Sequence, residues 1–119
     1  MKKILNYIDG KSTAISQNEL LVDDPSTGEV IAKVVLSSKD DFEKVIQSSL
    51  KSFDEWSKTT PLNRSRVLSN YKNLIEKNID ELASIVSKEH GKTFADAKGS
   101  VTRGLEVVEF ACGIPHLLK

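Results

Sequence analysis

The sequence predicts a helix-rich α+β fold in which a β-hairpin precedes four α-helices. Two apolar runs, 20–22 and 30–36, flank a turn-forming Asp-Pro-Ser-Thr-Gly segment, as expected for two paired strands. From Ser38 onward, apolar residues recur every three or four positions, which is the spacing of amphipathic helices. The chain has 119 residues, of which 39% are hydrophobic and 29% charged, so its length and composition suit one folded domain.

The first 36 residues are predicted to be extended. The apolar run 4–8 stops at Asp9-Gly10, a turn pair in which glycine allows a positive φ. The polar stretch 11–18 then leads to the predicted hairpin, whose second strand is rich in β-branched residues. Because an isolated hairpin is marginally stable in water, we expect it to pack against other structure.

The first two predicted helices begin at recognisable capping residues. Ser38 caps the first helix, and the acidic pair Asp40-Asp41 is placed favourably for the helix dipole. Thr60 caps the second, with Pro61 at its first position. The predicted inward face of the first helix comprises Phe42, Val45, Ile46, Ser49, Leu50, Phe53 and Trp56. That of the second comprises Leu62, Val67, Leu68, Tyr71, Leu74 and Ile75.

Two further helices follow a short break at 78–80, where Asp80 is the expected cap. The third helix ends at Gly91, because glycine is the usual left-handed stop. Thr93 caps the fourth, with Asp96 three residues later as in a capping box. The predicted apolar residues of these two helices are Leu82, Ile85, Val86, Phe94, Ala97, Val101, Leu105, Val108 and Cys112. Gly113 and the nearby Pro115 are expected to bend or end the fourth helix.

Charge and hydropathy disfavour several classes of protein. Because 17 basic residues balance 17 acidic ones, the chain lacks the basic excess typical of nucleic-acid-binding proteins. No uncharged stretch approaches the roughly 18 residues that span a bilayer. Asp9 and Lys11 interrupt the apolar run that a signal peptide would need. The single cysteine, Cys112, cannot form an internal disulfide, so we expect a cytoplasmic location.

Two short motifs have chemical interpretations and simpler structural ones. Gly91-Lys92-Thr93 is similar to the end of a phosphate-binding P-loop, but that motif needs glycine at position 86, which is Val86. A helix stop followed by a helix cap is therefore favoured. Glu89 and His90 could contribute a general base, but no orienting partner is visible, so a helix-end position is favoured.

Cys112 and His116 are four residues apart, a spacing that could pair a thiolate with an imidazole or supply half a metal site. Gly113 and Pro115 lie between them, so we do not expect one continuous helix to carry both residues. We expect an ordinary buried thiol at Cys112 and a surface or interface position for His116.

Arg103 is the strongest candidate for ligand binding. It precedes Gly104 in the fourth predicted helix, where the missing side chain can let a ligand or another backbone approach. A guanidinium beside such a gap could hold a carboxylate through two parallel hydrogen bonds. The alternative is a surface arginine that pairs loosely with Glu106 or Glu109.

Several strings of the sequence resemble the aldehyde dehydrogenase superfamily. Residues 24–32 (DPSTGEVIA) resemble its early hairpin, and 53–57 with 61–68 resemble the helix pair that follows. Residues 89–99 (EHGKTFADAKG) and 103–112 (RGLEVVEFAC) are similar to the CoA-acylating methylmalonate-semialdehyde dehydrogenase branch. The resemblance implies an α/β fold whose N-terminal segment spans 1–119, extended over 1–36 and helical over 38–119, incomplete without the NAD-binding sheet.

The resemblance also implies a reaction. A cysteine thiolate attacks a semialdehyde, hydride passes to NAD, and CoA takes the acyl group, giving propionyl-CoA or acetyl-CoA with loss of CO₂. In that family the nucleophilic cysteine and the glycine-rich NAD-binding turns lie beyond residue 119, so no catalytic or cofactor residue is carried over to this chain. Arg103 is carried over as the residue that binds the substrate carboxylate, and a homo-oligomer is expected for the full-length enzyme.

Two hypotheses follow for the chain itself. The first is an N-terminal part of such a dehydrogenase, catalytically incomplete alone, and an end at Leu117-Leu118-Lys119, without a longer polar tail, is consistent with a fragment. The second is a non-catalytic helical module, derived from the same family, whose apolar faces bind a partner protein.

Overall fold

The computed structural model describes residues 1–118 and confirms that strands precede four helices. The strands are β1 (Lys2–Ile4), β2 (Asn6–Ile8), β3 (Lys11–Thr13), β4 (Glu19–Asp23) and β5 (Val30–Val35). The helices are α1 (Lys39–Lys58), α2 (Pro61–Lys77), α3 (Ile79–His90) and α4 (Phe94–Cys112), followed by a short 3₁₀ helix, Ile114–Leu117. The chain divides into two units, one of residues Met1–Lys58 and one that begins at Thr59, and each is described by itself.

The predicted hairpin forms from β4 and β5 in the first unit. The two strands are antiparallel, with Val22 opposite Ala32, and the register shifts at the end of β4. Gly28 adopts a φ of 74°, and its N–H donates to the Asp24 carbonyl at 2.7 Å. The turn therefore uses the residue types that the sequence provides for it.

Two short pairings were not predicted. The apolar run 4–8 divides between two sheets: β1 pairs in parallel with β5, giving the order β1-β5-β4, while β2 pairs with β3. The β2–β3 turn is the predicted Asp9-Gly10 pair, and both residues have positive φ, as a type I′ hairpin turn requires. Three-residue strands are too short to show a hydrophobic period, so this part of the sequence indicated only extended structure.

Asp41 is the most buried polar residue of the first unit, with 1% of its surface exposed. Its carboxylate accepts hydrogen bonds from the N–H groups of Ile15 (2.6 Å), Ser16 (3.0 Å) and Ser38 (2.9 Å), and from the Ser38 hydroxyl. These backbone hydrogen bonds, led by that from Ile15, hold the pKa of Asp41 far below its usual value. The carboxylate thus joins the loop before β4 to the start of α1.

The predicted apolar face of α1 is present but largely uncovered. Its largest side chains remain exposed, with 62% of Phe42, 66% of Phe53 and 46% of Trp56 accessible. The buried apolar residues of the first unit are Ile8, Ala32 and Val35, which lie on strands. The amphipathic period therefore predicted the helix correctly, but not what its apolar face packs against.

The helices of the second unit mostly begin and end where predicted. Thr60 accepts from the Asn63 N–H and Thr93 from the Asp96 N–H, each at 3.3 Å, and Gly91 is left-handed with a φ of 79°. The prediction that Asp80 caps α3 is wrong. Asn78 both ends α2 and precedes α3, and its carbonyl accepts the first bond of α3, so Asp80 lies in the first turn.

Helix α4 packs against α3 and α2. Ala97 on α4 and Ala83 on α3 are fully buried, and such small side chains let helices approach closely. Between α2 and α4, the Ser65 hydroxyl donates to the Cys112 carbonyl at 2.5 Å. Lys72 on α2 contacts Glu76 at 2.8 Å, and that hydrogen bond raises the pKa of the lysine.

Two glycine substitutions in the second unit should have opposite effects on stability. Gly91→Ala places a Cβ in a left-handed conformation and should lower the free energy of unfolding by about 1–2 kcal/mol. Gly104→Ala lies within α4, with no heavy atom within 4 Å of the new Cβ. It should raise that free energy by about 0.5–1 kcal/mol. Urea unfolding followed by circular dichroism measures both, and equal effects would contradict the left-handed stop at Gly91.

The hydrogen-bonded Asp41 carboxylate should make the first unit less stable as the pH falls into the acid range. Because folding lowers its pKa, the stabilisation is present above the ordinary aspartate value of 3.8 and is lost as the pH falls below it. Between about pH 4 and pH 2, the thermal midpoint of the wild type should therefore fall more steeply than that of Asp41→Asn. Asp40→Asn, an exposed neighbour, is the control and should keep the wild-type slope.

Candidate functional site

Three polar side chains of the second unit meet along the first half of α4. Lys92, in the loop between α3 and α4, donates from Nζ to Ser100 Oγ at 3.0 Å. Arg103 donates from Nη2 to the same oxygen at 3.2 Å. The Ser100 hydroxyl in turn donates to the Asp96 carbonyl, one turn earlier, at 3.2 Å. We call Lys92, Ser100 and Arg103 the basic cluster.

Local structure brings these groups together. Ser100 and Arg103 are three residues apart on α4, so they share a face of the helix. The left-handed turn at Gly91 and the Thr93 cap direct the chain from α3 into α4, and the Ser87 hydroxyl donates to the Lys92 carbonyl at 2.7 Å. The backbone of Lys92 is thereby fixed, and its long side chain reaches the second turn of α4.

The two cations of the basic cluster have no acidic partner among residues 1–118. No ion pair joins Lys92 or Arg103 to a carboxylate in that range. The pairing of Arg103 with Glu106 or Glu109 that the sequence allowed does not form, and Glu109 lies near Lys72 at 3.8 Å instead. Lys92 and Ser100 are half-buried and Arg103 is exposed, so the cluster is accessible from solvent.

Two glycines differ in their relation to Arg103. A Cβ on Gly99 would lie 3.8 Å from Arg103 Nη1, so the guanidinium extends over Gly99, one turn earlier in α4. A Cβ on Gly104 would meet no heavy atom within 4 Å, so the open position that the sequence suggested is present, but the guanidinium does not adjoin it. Because Arg103 is exposed, its fork can still receive a planar anion such as a carboxylate.

The sequence pattern singles out Arg103 but does not connect it with Lys92 and Ser100. Lys92 belongs to the string that is similar to a P-loop, and the structure confirms the favoured helix stop and cap at Gly91 and Thr93. The spacing of Ser100 and Arg103 was a usable signal. The contact between Lys92 and Ser100 could not be predicted, because it depends on the course of the α3–α4 loop.

The other candidate residues do not assemble. Cys112 ends α4 and His116 lies in the separate 3₁₀ helix, so no single helix carries both residues, as expected. Cys112 is half-buried rather than buried, because it lies at the end of its helix, and its thiol donates to the Val108 carbonyl at 3.3 Å. His116, Glu89 and His90 are exposed.

Other features of the described chain are less suited to binding. An open depression of about 320 Å³ in the first unit is lined by Tyr7, Phe42 and other residues, but its carboxylate, Asp41, is already fully hydrogen-bonded. Within residues 1–118, no three His, Cys, Asp or Glu side chains are grouped as metal ligands. Over the same range, no helix has the length and apolarity needed to cross a membrane.

Two known proteins similar to this chain are named as semialdehyde dehydrogenases. A Dictyostelium discoideum protein, named as a probable acylating methylmalonate-semialdehyde/malonate-semialdehyde dehydrogenase of mitochondria, is 44% identical over 113 residues. The match covers 94% of this chain and 21% of that protein. Malonate-semialdehyde dehydrogenase of Bacillus cereus is 43% identical over 119 residues, or 99% of this chain and 24% of the relative.

Two solved structures with similar names superpose closely on this chain. A Sinorhizobium meliloti protein, described as a candidate methylmalonate-semialdehyde dehydrogenase and complexed with NAD, superposes with a TM-score of 0.96 at 42% identity. The superposed region covers 100% of this chain and 24% of the Sinorhizobium meliloti chain. The methylmalonate-semialdehyde dehydrogenase of Oceanimonas doudoroffii gives the same TM-score at 38% identity, with the same coverage.

The chain thus spans about a quarter of the length of these relatives. The sequence pattern of the aldehyde dehydrogenase family matches residues 12–119, nearly the whole chain. The predicted family and its partial α/β segment are confirmed: this chain belongs to the aldehyde dehydrogenase family.

Proposed function

We propose that this chain serves as the N-terminal segment of an NAD-dependent, CoA-acylating methylmalonate- or malonate-semialdehyde dehydrogenase. The observation that supports this most directly is about 43% identity, along nearly the whole chain, to relatives that carry these names. The two strings that suggested this branch, 89–99 and 103–112, contain Lys92 and Arg103 of the basic cluster. The full enzyme would oxidise a semialdehyde with NAD and transfer the acyl group to CoA.

Within that enzyme, Arg103 would bind the carboxylate of the semialdehyde. Its guanidinium is exposed, has no acidic partner among residues 1–118, and lies over Gly99, which has no side chain to cover it. A bidentate arginine–carboxylate pair fixes both position and orientation, so it would aim the aldehyde end of the substrate at a nucleophile elsewhere in the enzyme.

The single cysteine of this segment does not fit the role of the nucleophile. A nucleophilic cysteine needs an activating base or positive charge and access to substrate, whereas the Cys112 thiol hydrogen-bonds within α4. The six glycines do not form the Gly-x-Gly turn that approaches a dinucleotide pyrophosphate. The residues of this segment therefore do not fit an NAD site of that kind, and we assign them no step that involves NAD or CoA.

A helical binding module is the second candidate. The exposed side chains of α1, including Phe42, Phe53 and Trp56, would then contact a partner protein rather than another part of a dehydrogenase. The mass of the natural protein separates the two functions. A product of about four times this length supports the dehydrogenase; a product of this length that unfolds cooperatively alone supports the module. In either case we expect a cytoplasmic protein, and a homo-oligomer for the full-length dehydrogenase.

A hybrid enzyme tests the proposed function. In Bacillus cereus malonate-semialdehyde dehydrogenase, the 119 matched residues are replaced by this chain. We expect CoA-dependent NADH formation from malonate semialdehyde, because the chain supplies an equivalent segment. The isolated 119-residue chain should form no NADH. A hybrid that binds NAD and assembles like its parent, but does not turn over, would contradict the proposal, as would turnover by the isolated chain.

Substitution of Arg103 in this hybrid tests the carboxylate assignment. Arg103→Gln removes a charge-assisted bidentate contact and should lower kcat/KM for malonate semialdehyde about 10- to 100-fold. The value for propanal, which has no carboxylate, should change little. Arg66→Gln removes an exposed guanidinium of α2 that contacts Asn63, and is the matched control. Equal losses on both aldehydes would show that Arg103 acts on folding rather than on substrate.

A further inference from the structure

We propose that Lys92 is a second carboxylate-binding residue, which acts with Arg103 on the same anion, and that Ser100 holds the two cations ready for it. This inference rests on the proposed function and extends it. It depends on a juxtaposition that the spacing of the sequence did not reveal: a loop lysine and a helix arginine that donate to one hydroxyl oxygen.

The two cations are close and uncompensated. Since Lys92 Nζ and Arg103 Nη2 each lie near Ser100 Oγ, they are within about 6 Å of each other and repel at that distance. No ion pair in residues 1–118 neutralises either cation. Two other lysines of this unit do have acidic partners: Lys72 pairs with Glu76 and Lys98 with Asp80. An anion between Lys92 and Arg103 would remove the repulsion.

Ser100 holds the two cations together in the absence of an anion. Its oxygen accepts from both side chains while its hydrogen is directed to the Asp96 carbonyl, so the hydroxyl presents only lone pairs to the cations. A neutral acceptor of this kind positions two donors without cancelling their charge. Both donors would retain hydrogens for a ligand, because an ammonium has three N–H groups and a guanidinium five.

Charge and shape favour a carboxylate. The Arg103 fork matches the two oxygens of a planar carboxylate, and Lys92 would add a point charge to one of them. The half-buried position of Lys92 strengthens its attraction relative to a fully exposed lysine. Phosphate could also bind two cations, and the experiment therefore includes it as a separate ligand.

The test is a calorimetric titration of the hybrid enzyme described above with propanoate, which measures binding independently of turnover. We expect saturable binding of propanoate and none of neutral propanamide. Lys92→Gln and Arg103→Gln should each weaken binding about five- to tenfold. Lys88→Gln, which removes an exposed lysine of α3, should leave it unchanged.

The outcomes separate this inference from the proposed function. If Arg103→Gln weakens propanoate binding and Lys92→Gln does not, the inference is wrong and the role of Arg103 stands. If neither substitution weakens propanoate binding, or the unsubstituted hybrid shows no saturable binding, the carboxylate role proposed for the segment fails as well. Tighter binding of inorganic phosphate than of propanoate would overturn the choice of ligand. Thermal unfolding of each variant must match the wild type, and a Lys92→Gln effect explained by unfolding counts against the inference.

Discussion

The packing of α3 against α4 is the constraint on which the candidate site depends. Ala83 and Ala97, both fully buried, allow the two helices to come close, and the chain must then reverse between them within 91–93. Gly91 makes that reversal possible with a positive φ. Lys92 follows directly, so its side chain lies alongside the helix that carries Ser100 and Arg103. The geometry of the site is thus a consequence of helix packing and a single turn.

Much of the fold could be predicted because the relevant signals are local. Thr60, Thr93, Gly91 and the Asp9-Gly10 pair each act on their own turn or helix end, and each does what its chemistry indicates. Helix periods were equally readable, since they repeat over 12 to 20 residues. Asp80 is the exception, because Asn78 serves two helices at once and leaves no separate cap for α3.

The features that could not be predicted all depend on residues far apart in the sequence. The pairing of β1 with β5 joins Ile4 to Val34, and the Asp41 carboxylate reaches back to the N–H groups of Ile15 and Ser16. The predicted place of Asp41 in the first turn of α1, beside the Ser38 cap, accounts for its contacts with Ser38 but did not indicate its burial. In the same way, Arg103 could be singled out from its neighbours in sequence, whereas its relation to Lys92 required the course of the α3–α4 loop.

The exposed apolar surface and the uncompensated cations can be understood together. A domain that is complete alone buries its large side chains and pairs most half-buried charges. Here the fully buried apolar side chains of the second unit are alanines, while Phe110 and Val107 of α4 are 69% exposed. Lys92 and Arg103 of the same unit share a hydroxyl instead of a carboxylate. In our proposal, both features belong to a surface that acquires its partners in the full enzyme: apolar structure for the helices and a substrate carboxylate for the cations.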